Sequence, residues 1–323
     1  MKTVLDKELE KLLWSDISSV ESQPKPSRLL AHYTSIDTLE KIVRSNELWF
    51  SNPLHMNDLN ELWFGMQEGA RAFRVHNGLM KSMKTTGQHV DLLNHFDRLF
   101  AKFDAEHVFD TYVFCVSEHD QDDNDGTLSM WRGYGASGAG VAIVFDPAKI
   151  ERTGRSPLII DKVEYMTPEA QQQWMIERLD GISALVCGRT LDDSDLFSIG
   201  HYWLERLKIF SLFTKHVGFD EENEWRAVYL KNRDPTESLV DMFSYAVASS
   251  GVEPKLKLKI APLQGIFAED FSLEEIVDKI ILGPSLSSVL AKSAVIRMLE
   301  KNGKKDLAMR VVTSSIPFRP KRY

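Results

Sequence analysis

Cysteine, positive charge and long apolar runs are scarce in this sequence. Cys115 and Cys187 are the only cysteines among 323 residues, and each lies inside an apolar run. We therefore expect buried, reduced thiols of a cytoplasmic protein and no disulfide. The formal net charge of -8 argues against tight, sequence-independent binding to a nucleic-acid backbone, because such binding normally requires a basic excess.

No run of the chain approaches the roughly 20 apolar residues that a transmembrane helix requires. The first segment, MKTVLDKELEKLLW, interrupts its apolar positions with acids and lysines, so the sequence predicts no signal peptide. The composition, 43% hydrophobic and 27% charged, is close to the globular average, which argues against extended disorder. We expect a folded cytoplasmic protein with no membrane partner.

The common catalytic motifs are also missing. The sequence contains no Walker A loop, no GxSxG elbow and no HExxH, HxxEH or CxxC metal motif. The acidic stretch DQDDNDG at residues 120–126 resembles a calcium loop, but its glycine falls one place late, and Trp131 stands where a calcium-binding glutamate belongs. We therefore expect a solvated acidic loop and no bound metal.

Gly133, Gly135 and Gly138 in GYGASGAG form a literal GxGxxG pattern. In dinucleotide-binding folds these glycines follow a strand and open a helix, whereas here they lead into the apolar strand VAIVFD. Because this order is the reverse of the Rossmann pattern, we expect a flexible turn beside a pocket, where glycine lets the backbone approach a ligand closely.

Helix-like and strand-like patterns alternate irregularly along the chain. Residues 1–27 are expected to form an appendage, made of an amphipathic helix and a linker. Residues 28–323 are expected to form a single domain with helical insertions near residues 59–107 and 168–216. Because regular βαβ alternation is missing, the sequence predicts an α+β fold with small, mostly antiparallel sheets.

Two segments near the start of this domain carry candidate polar residues. The stretch LAHYT predicts a short strand that ends in the triplet at residues 32–34, before a helix that begins with a capping-box-like Asp-Glu pair. After a second predicted strand, Asn57, Asp58 and Glu61 either begin the next helix, where a cap and an acidic residue are favourable, or surround the mouth of a pocket. Both interpretations stay open.

Two later segments add aromatic and charged candidates. Trp131 and Tyr134 are three residues apart with Arg132 between them, so their rings either pack in the core or stack on a planar ligand. In NEWRAVYL, Glu224 and Arg226 lie on one face of a predicted strand. Either Glu224 or Arg226 forms an ion pair with a neighbouring strand, or Glu224 is a rigidly held catalytic carboxylate.

Several segments together resemble the landmarks of an uncharacterised prokaryotic family called domain of unknown function 2971. The landmarks are HYTS, LWFSNPLHMND, FCVSE, MWRGYG, GVAIVF, ENEWR, IILGP and SSIPFR. The resemblance covers residues 29–319, and the order of the segments is far more specific than any one of them. It implies no activity, because the function of the family is unknown.

The layout also resembles the ADP-ribosyltransferases and related NAD-cleaving toxins. In these enzymes an early strand ends in His, a later segment supplies an aromatic ring and a late strand carries a Glu. The resemblance implies that His32 and Thr34 hold NAD, that Tyr134 stacks on nicotinamide and that Glu224 stabilises the oxocarbenium-like transition state. The catalytic candidates are thus His32, Tyr134 and Glu224, and the candidate NAD-binding residues are His32, Tyr33, Thr34, Ser51, Asn57, Trp131, Tyr134 and Arg226.

These expectations define a function: an NAD-dependent ADP-ribosyltransferase or NAD glycohydrolase in stress response, toxicity or phage defence, with a protein or nucleic acid as acceptor. Cleaving the N-glycosidic bond of NAD develops positive charge on the ribose, so positioning and one carboxylate suffice without a metal. Two alternatives stay open. One is a non-catalytic module that senses a nucleotide or a protein, and the other is a metal-dependent phosphohydrolase or nuclease that uses Asp58, Glu61, Asp122 and Asp125.

Overall fold

The computed structural model describes residues 2–15, 28–56, 59–105, 110–150, 156–248, 251–263, 266–267 and 269–318. The α-helices in these ranges are α1 (Val4–Leu13), α2 (Ile36–Ser45), α3 (Leu59–Val75), α4 (Asn77–Ser82), α5 (Thr86–Ala105), α6 (Leu128–Gly133), α7 (Pro168–Val186), α8 (Asp193–Phe213), α9 (Leu273–Ile276), α10 (Val289–Lys301) and α11 (Lys305–Met309). None of the described helices combines the length and the apolar composition that are needed to cross a bilayer.

The strands are β1 (Leu29–Thr34), β2 (Glu47–Ser51), β3 (Thr111–His119), β4 (Val141–Phe145), β5 (Leu158–Lys162), β6 (Glu164–Met166), β7 (Thr214–His216), β8 (Glu224–Leu230), β9 (Phe243–Ala248), β10 (Gly251–Lys259), β11 (Val277–Leu282) and β12 (Val311–Thr313). The chain divides into two compact units. Unit 1 comprises Met1–Gln23, Asn52–Thr111 and Val163–Phe219, and unit 2 comprises Pro24–Ser51, Tyr112–Lys162 and Asp220–Tyr323.

Unit 2 is built on one ten-stranded sheet. The strand order is β12-β11-β4-β1-β3-β2-β10-β9, with β8 paired to β3 and β5 paired to β8. The described registers in this sheet are antiparallel, apart from the parallel pair of β11 and β12. The predicted α+β class with mostly antiparallel pairing is confirmed, although these strands join one large sheet instead of several small ones.

The two faces of this sheet, which we call the first and the second face, contribute to separate hydrophobic clusters. Successive side chains of a strand point to opposite faces. On β1, Leu30 therefore belongs to the first-face cluster, which also contains Phe114 and Trp225, whereas Tyr33 belongs to the second-face cluster with Trp131. This alternation fixes the face on which each candidate residue lies.

Helix α2 begins at a serine and not at the predicted pair of acidic residues. The hydroxyl of the N-cap residue Ser35 accepts the N–H of Thr38 at 3.1 Å, which satisfies a donor that the first turn of a helix leaves unpaired. Asn46 ends the helix in the left-handed conformation, with φ of 56°, which asparagine adopts more readily than most residues at a helix C-terminus. The cap places the end of β1 directly before the helix.

Unit 1 is helical, with one short parallel pair formed by β6 and β7. Helix α8 packs against α1, α3 and α5. Its Trp203 is fully buried and donates its indole N–H to Gly69 O at 3.3 Å. Phe73 and Phe96, with ring centroids 4.4 Å apart, connect α3 and α5. The apolar stripe of each helix therefore faces a neighbouring helix within the unit.

The N-terminal helix and both predicted insertions lie in unit 1. The sequence predicts an appendage at residues 1–27 and one domain at residues 28–323, whereas the structure buries Leu5, Leu9 and Leu13 of α1 against the other helices of unit 1. Residues 16–27 lie outside the described ranges. The prediction of two buried thiols is wrong for Cys187, which is exposed at the end of α7, and Cys115 is only partly buried.

Candidate functional site

Several landmark segments of unit 2 meet at one end of the central strands of its sheet, where β1 and β11 end and β4 begins. Val141 pairs with Thr34 on one side and with Leu282 on the other. Gly140 lies so close to the carbonyl of Thr34 that a Cβ would collide with it, and its own carbonyl accepts the N–H of Gly283 at 2.9 Å. The fold thus brings the end of β1 against the glycine-rich segment.

The glycine-rich turn, residues 135–140, has an unusual backbone. Ala136 and Ser137 adopt positive φ angles of 48° and 52°, and Gly138 follows with 83°. Non-glycine residues in this region cost on the order of 1–3 kcal/mol each, and such strain is concentrated at functional sites. Within the described residues no acceptor engages the backbone N–H of Ala136 or Ser137, and both residues are exposed. The turn therefore has two exposed residues whose backbone donors take part in none of the described hydrogen bonds.

An aromatic ring, a cation and a carboxylate stand beside this turn. Tyr134 is 37% exposed and donates its hydroxyl to Oε1 of Glu222 at 2.9 Å. The guanidinium of Arg132 lies 5.4 Å from the ring centroid of Phe318. Phe318 covers Gly138, where a Cβ would stand 2.8 Å from the ring, so only glycine allows this contact.

Tyr33 and Trp131 are core residues of the second face. The Trp131 side chain is fully buried and donates Nε1–H to Asp125 O at 2.8 Å. The hydroxyl of Tyr33 accepts the N–H of Thr127 at 3.0 Å, and burial raises the pKa of this phenol. The two rings meet edge to face with centroids 4.9 Å apart. Of the two interpretations of Trp131, core packing describes it in this structure.

His32 lies on the first face, which is opposite to the face of Tyr33. Its ring stacks on Phe114 with centroids 4.5 Å apart, and Nδ1 is 2.9 Å from Cys115 O. Because a carbonyl can only accept, Nδ1 carries the proton. Burial lowers the pKa of His32, so the imidazole is held neutral.

Glu224 and Arg226 lie on the second face of β8, since their neighbour Trp225 belongs to the first-face cluster. Arg226 donates Nε–H to Oε1 of Glu224 at 2.8 Å and Nη2–H to Oε2 at 3.0 Å. The two residues are 4% and 5% exposed. This ion pair lies within one strand and not across two strands as predicted, and Glu224 lies on the opposite face of the sheet from His32.

The remaining candidates are distributed as follows. Thr34 is at the end of β1 beside the glycine-rich turn. Ser51 is at the end of β2, where its hydroxyl accepts from Nζ of Lys255 at 2.9 Å. Asn57 and Asp58 lie outside the described residues, and Glu61 is described only as part of the backbone of α3.

The acidic loop at residues 120–126 is fixed by a lysine from β11. Nζ of Lys279 donates to Gln121 O at 2.7 Å, to Asp123 O at 3.1 Å and to Asn124 Oδ1 at 3.3 Å. Gln121, Asp122 and Asn124 are exposed, as expected of a solvated loop, and the ammonium group of Lys279 binds three oxygens of this loop. In the described part of the chain no three His, Cys, Asp or Glu residues are placed to share a metal ion.

Of the acidic residues in this loop, Asp122 is exposed and Asp125 is engaged. Asp125 accepts from the backbone N–H of Ser315, from the Ser315 hydroxyl at 3.1 Å and from the Ser314 hydroxyl at 3.4 Å. These donors lower the pKa of Asp125. The carboxylate therefore tethers the segment after β12 to the loop.

Comparison with known families supports the first resemblance over part of the chain. The family model described as Protein of unknown function (DUF2971) matches residues 130–227. The matched stretch begins at the MWRGYG segment and ends just after ENEWR, so the chain resembles this family there. No curated protein matches the chain, and no solved structure matches it either.

Sequence reasoning missed two residues of this region. Glu222 was overlooked because Glu224 in the same ENEWR segment has the strand alternation expected of a rigid carboxylate, yet Glu222 is the one bonded to the exposed Tyr134. Lys279 gave no signal, since it lies more than 150 residues from the loop that it binds. Only the pairing of distant strands brings such residues together.

Proposed function

We propose that unit 2 is a nucleotide-binding module, with NAD as the first candidate ligand, and that its binding surface comprises Tyr134, Arg132 and the glycine-rich turn. The observation that carries the proposal is the exposed ring of Tyr134 beside two unengaged backbone N–H groups. A nucleotide presents a planar base or nicotinamide ring next to phosphate groups, and this surface offers a partner for each.

The ring of Tyr134 is the stacking partner in this proposal. Tyr134 is partly exposed, and its hydroxyl is held by the hydrogen bond to Glu222. Stacking a base on an aromatic side chain is worth about 1–3 kcal/mol by alanine substitution. The bond to Glu222 reduces the freedom that the ring would lose when a ligand binds.

The phosphate partners are the backbone N–H groups of Ala136 and Ser137 together with Arg132. Successive N–H groups in a turn of this kind form a concave site for anions, and a guanidinium binds phosphate with two parallel hydrogen bonds. Arg132 lies over the ring of Phe318, so it is held next to the turn. Donors on the backbone and on a restrained side chain lose little conformational entropy when they bind an anion.

A second candidate is the NAD-cleaving reaction of a transferase or glycohydrolase, and one observation favours it. The hydrogen bond between Tyr134 and Glu222 sets a partly buried carboxylate beside the proposed stacking ring. A carboxylate in that place would stabilise positive charge on the ribose as nicotinamide leaves. Glu224, the carboxylate that the resemblance implies, is neutralised by Arg226 in this structure.

Two assays test the proposal and separate the candidates. Calorimetric titration of the full chain with NAD, ADP-ribose and adenosine should show saturable binding, with the two phosphate-containing ligands tighter than adenosine. No saturable binding of any of them would refute the nucleotide proposal. Release of nicotinamide from NAD, followed by chromatography, would establish the second candidate. Binding without release would favour the sensing module, which we propose to act in the cytoplasm.

A further inference from the structure

The large sheet of unit 2 has edge strands that differ in how their outer edges are protected. An edge strand presents backbone N–H and C=O groups that can pair with another chain, so natural edge strands are usually short, charged or interrupted by proline. The described strand order ends in β12 on one side and in β9 on the other, and β5 ends the branch through β8. These three edges bear on association and are independent of the proposed nucleotide site.

Two of the edges carry such protection and the third does not. Strand β12 has only three residues, and β5 contains Asp161 and Lys162. Strand β9 has six residues with the sequence FSYAVA, which includes no charged residue and no proline. Its register with β10 continues without a bulge over all six positions. Strand β9 is therefore a regular edge that lacks the usual protection.

The backbone of β9 has hydrogen-bonding groups that the sheet does not use. In the part of the chain that the structure describes, β9 pairs with β10 alone, and no backbone hydrogen bond outside the strand ladders involves residues 243–248. Only every second residue of an antiparallel strand directs its backbone groups toward a given neighbour. The other half of these groups points away from the sheet, and an extended strand is the partner that pairs with them.

The opposite edge of the same hairpin is protected. Strand β10 pairs with β2 from Lys255 onward, so its residues 251–254 extend beyond the described pairing with β2. Along this part of β10, Pro254 has no backbone N–H to offer and Glu253 carries a charge. Both features discourage pairing with another chain. The hairpin therefore protects its β10 edge and leaves its β9 edge available.

An exposed apolar stripe accompanies the β9 edge. The ring of Phe243 lies 5.2 Å from that of Tyr112, which belongs to the first-face cluster. Tyr245 and Val247 follow at intervals of two residues, so they lie on the same face, and they are 62% and 76% exposed. Val252, which pairs with Val247 in β10, is 64% exposed. The stripe thus extends the apolar surface of the first face up to the edge.

We propose that β9 pairs in antiparallel orientation with β9 of a second copy of this chain, so that the two sheets join across a twofold axis. A twofold axis perpendicular to the sheet keeps the first faces of both copies on the same side. Directly opposed residues of antiparallel strands share a face, so the stripe of one copy meets the stripe of the other.

A second copy fits this edge in charge as well as in geometry. The chain has a formal net charge of -8, so contact between most parts of two copies is opposed by repulsion. Strand β9 carries no charge, and its self-pairing places no like charges opposite each other. The edge that is free for pairing is thus also an edge at which two copies do not repel each other.

The resulting dimer should be weak and reversible. One six-residue strand and the side chains of Tyr245, Val247 and Val252 form a smaller contact than the roughly 800 Å² per partner of a standard interface. We therefore expect a Kd of about 1–100 μM. The chain should be monomeric when dilute and dimeric when concentrated.

Sedimentation velocity of the full chain over this concentration range tests the proposal. Val247→Lys places like charges on the two paired strands and should weaken dimerisation by at least ~10-fold. Val289→Lys makes the same change at a position of unit 2 that is 84% exposed, and it should leave dimerisation unchanged. Both side chains are exposed, so both variants should fold, which circular dichroism checks.

Two results of this experiment would overturn the proposal. The first is equal weakening of the dimer by Val247→Lys and Val289→Lys, which would show that added positive charge and not the β9 edge is responsible. The second is a chain that stays monomeric throughout the range, which would leave the edge to a strand of another protein.

Amide hydrogen exchange shows whether the dimer uses β9. In concentrated protein, alternate amides of residues 243–248 should exchange several-fold more slowly than in dilute protein, because every second N–H points outward. Residues 311–313 of the β12 edge are the control, and their exchange should not depend on concentration. Association that leaves β9 unprotected would place the contact elsewhere and overturn the proposal.

Discussion

Arg226 holds both carboxylate oxygens of Glu224, at 2.8 and 3.0 Å, on one face of the strand that carries them. The two residues are separated by one position, so their side chains point the same way along β8. With exposures of 4% and 5%, neither charge is hydrated, and each depends on its neighbours for compensation. Each charge of the pair therefore depends on the other.

Breaking this pair should destabilise the protein strongly. Arg226→Met leaves the carboxylate of Glu224 buried without the guanidinium, and the loss of one partner of a buried pair costs about 3–5 kcal/mol. Glu224→Leu should cost a similar amount. The double variant should lose clearly less than the sum of the two, which urea unfolding of all three proteins would measure.

The control for this prediction is an exposed ion pair on the same sheet. Lys162 and Glu118 are 2.8 Å apart, with the lysine side chain 42% exposed. Lys162→Met should therefore cost no more than about 1 kcal/mol. Additive losses at Glu224 and Arg226 would contradict the account of this pair.

The contact between Gly140 and Thr34 predicts a sharp difference between two glycines. A Cβ at Gly140 would meet the backbone carbonyl of Thr34, whereas a Cβ at Gly133 would meet nothing within 4 Å. Gly140→Ala should lower the free energy of unfolding by about 1–3 kcal/mol, because the backbone must shift. Gly133→Ala should not lower it. Thermal unfolding of the two variants checks this, and equal melting temperatures would contradict the geometry of the sheet edge.

Alternation along the chain predicted much of unit 2 correctly. The α+β class followed from irregularly mixed patterns, and the period of two in NEWRAVYL placed Glu224 and Arg226 on one face. The sequence could not show that this face is buried, because burial depends on elements far away in the chain. For the same reason the pattern favoured Glu224 over Glu222, although Glu222 is the carboxylate that meets Tyr134.

Contacts over long sequence separations limited the site prediction in other places. The partner of His32 is a backbone carbonyl, that of Cys115, and a carbonyl has no identity that a sequence motif could reveal. Lys279 binds a loop from a strand on the far side of β4 and β1 in the sheet order. The sequence shows which side chains in these segments are polar. Which groups they contact depends on how the strands pair.

His32 should make stability depend on pH. Burial lowers the pKa of His32 in the folded protein. As the pH falls below the ordinary pKa of histidine, the unfolded state therefore binds a proton before the folded state does. The stabilisation is complete above that value and is lost as the pH falls toward the folded pKa, by at most about 1.4 kcal/mol per unit of pKa difference.

The variant His32→Gln tests this dependence. It should reduce the loss of unfolding free energy between pH 7 and pH 5, relative to the wild type, in urea titrations at each pH. A smaller dependence should remain, because burial also lowers the pKa of His119. His55→Gln, which changes an exposed residue, is the control. An unchanged slope in His32→Gln would contradict a neutral imidazole with a lowered pKa.

Lys279 should protect the acidic loop against local unfolding. Hydrogen bonds that involve a charged group are worth about 1.5–3 kcal/mol, and Lys279 donates three to this loop. In Lys279→Met, amide hydrogen exchange at residues 123–126 should accelerate by at least ~10-fold. Lys305→Met, at an exposed position, should leave the exchange rates unchanged. Protection that survives in Lys279→Met would show that other contacts hold the loop.

The central claim is that Tyr134 stacks on a bound nucleotide, and titration of NAD into three tyrosine variants tests it most directly. Tyr134→Ala should raise the Kd by about 5- to 150-fold, the equivalent of 1–3 kcal/mol, while Tyr134→Phe keeps the ring and should stay within a few-fold of wild type. Tyr245→Ala removes a tyrosine of unit 2 that is 62% exposed and should bind NAD as the wild type does. Equal affinities of wild type, Tyr134→Ala and Tyr245→Ala would contradict the claim.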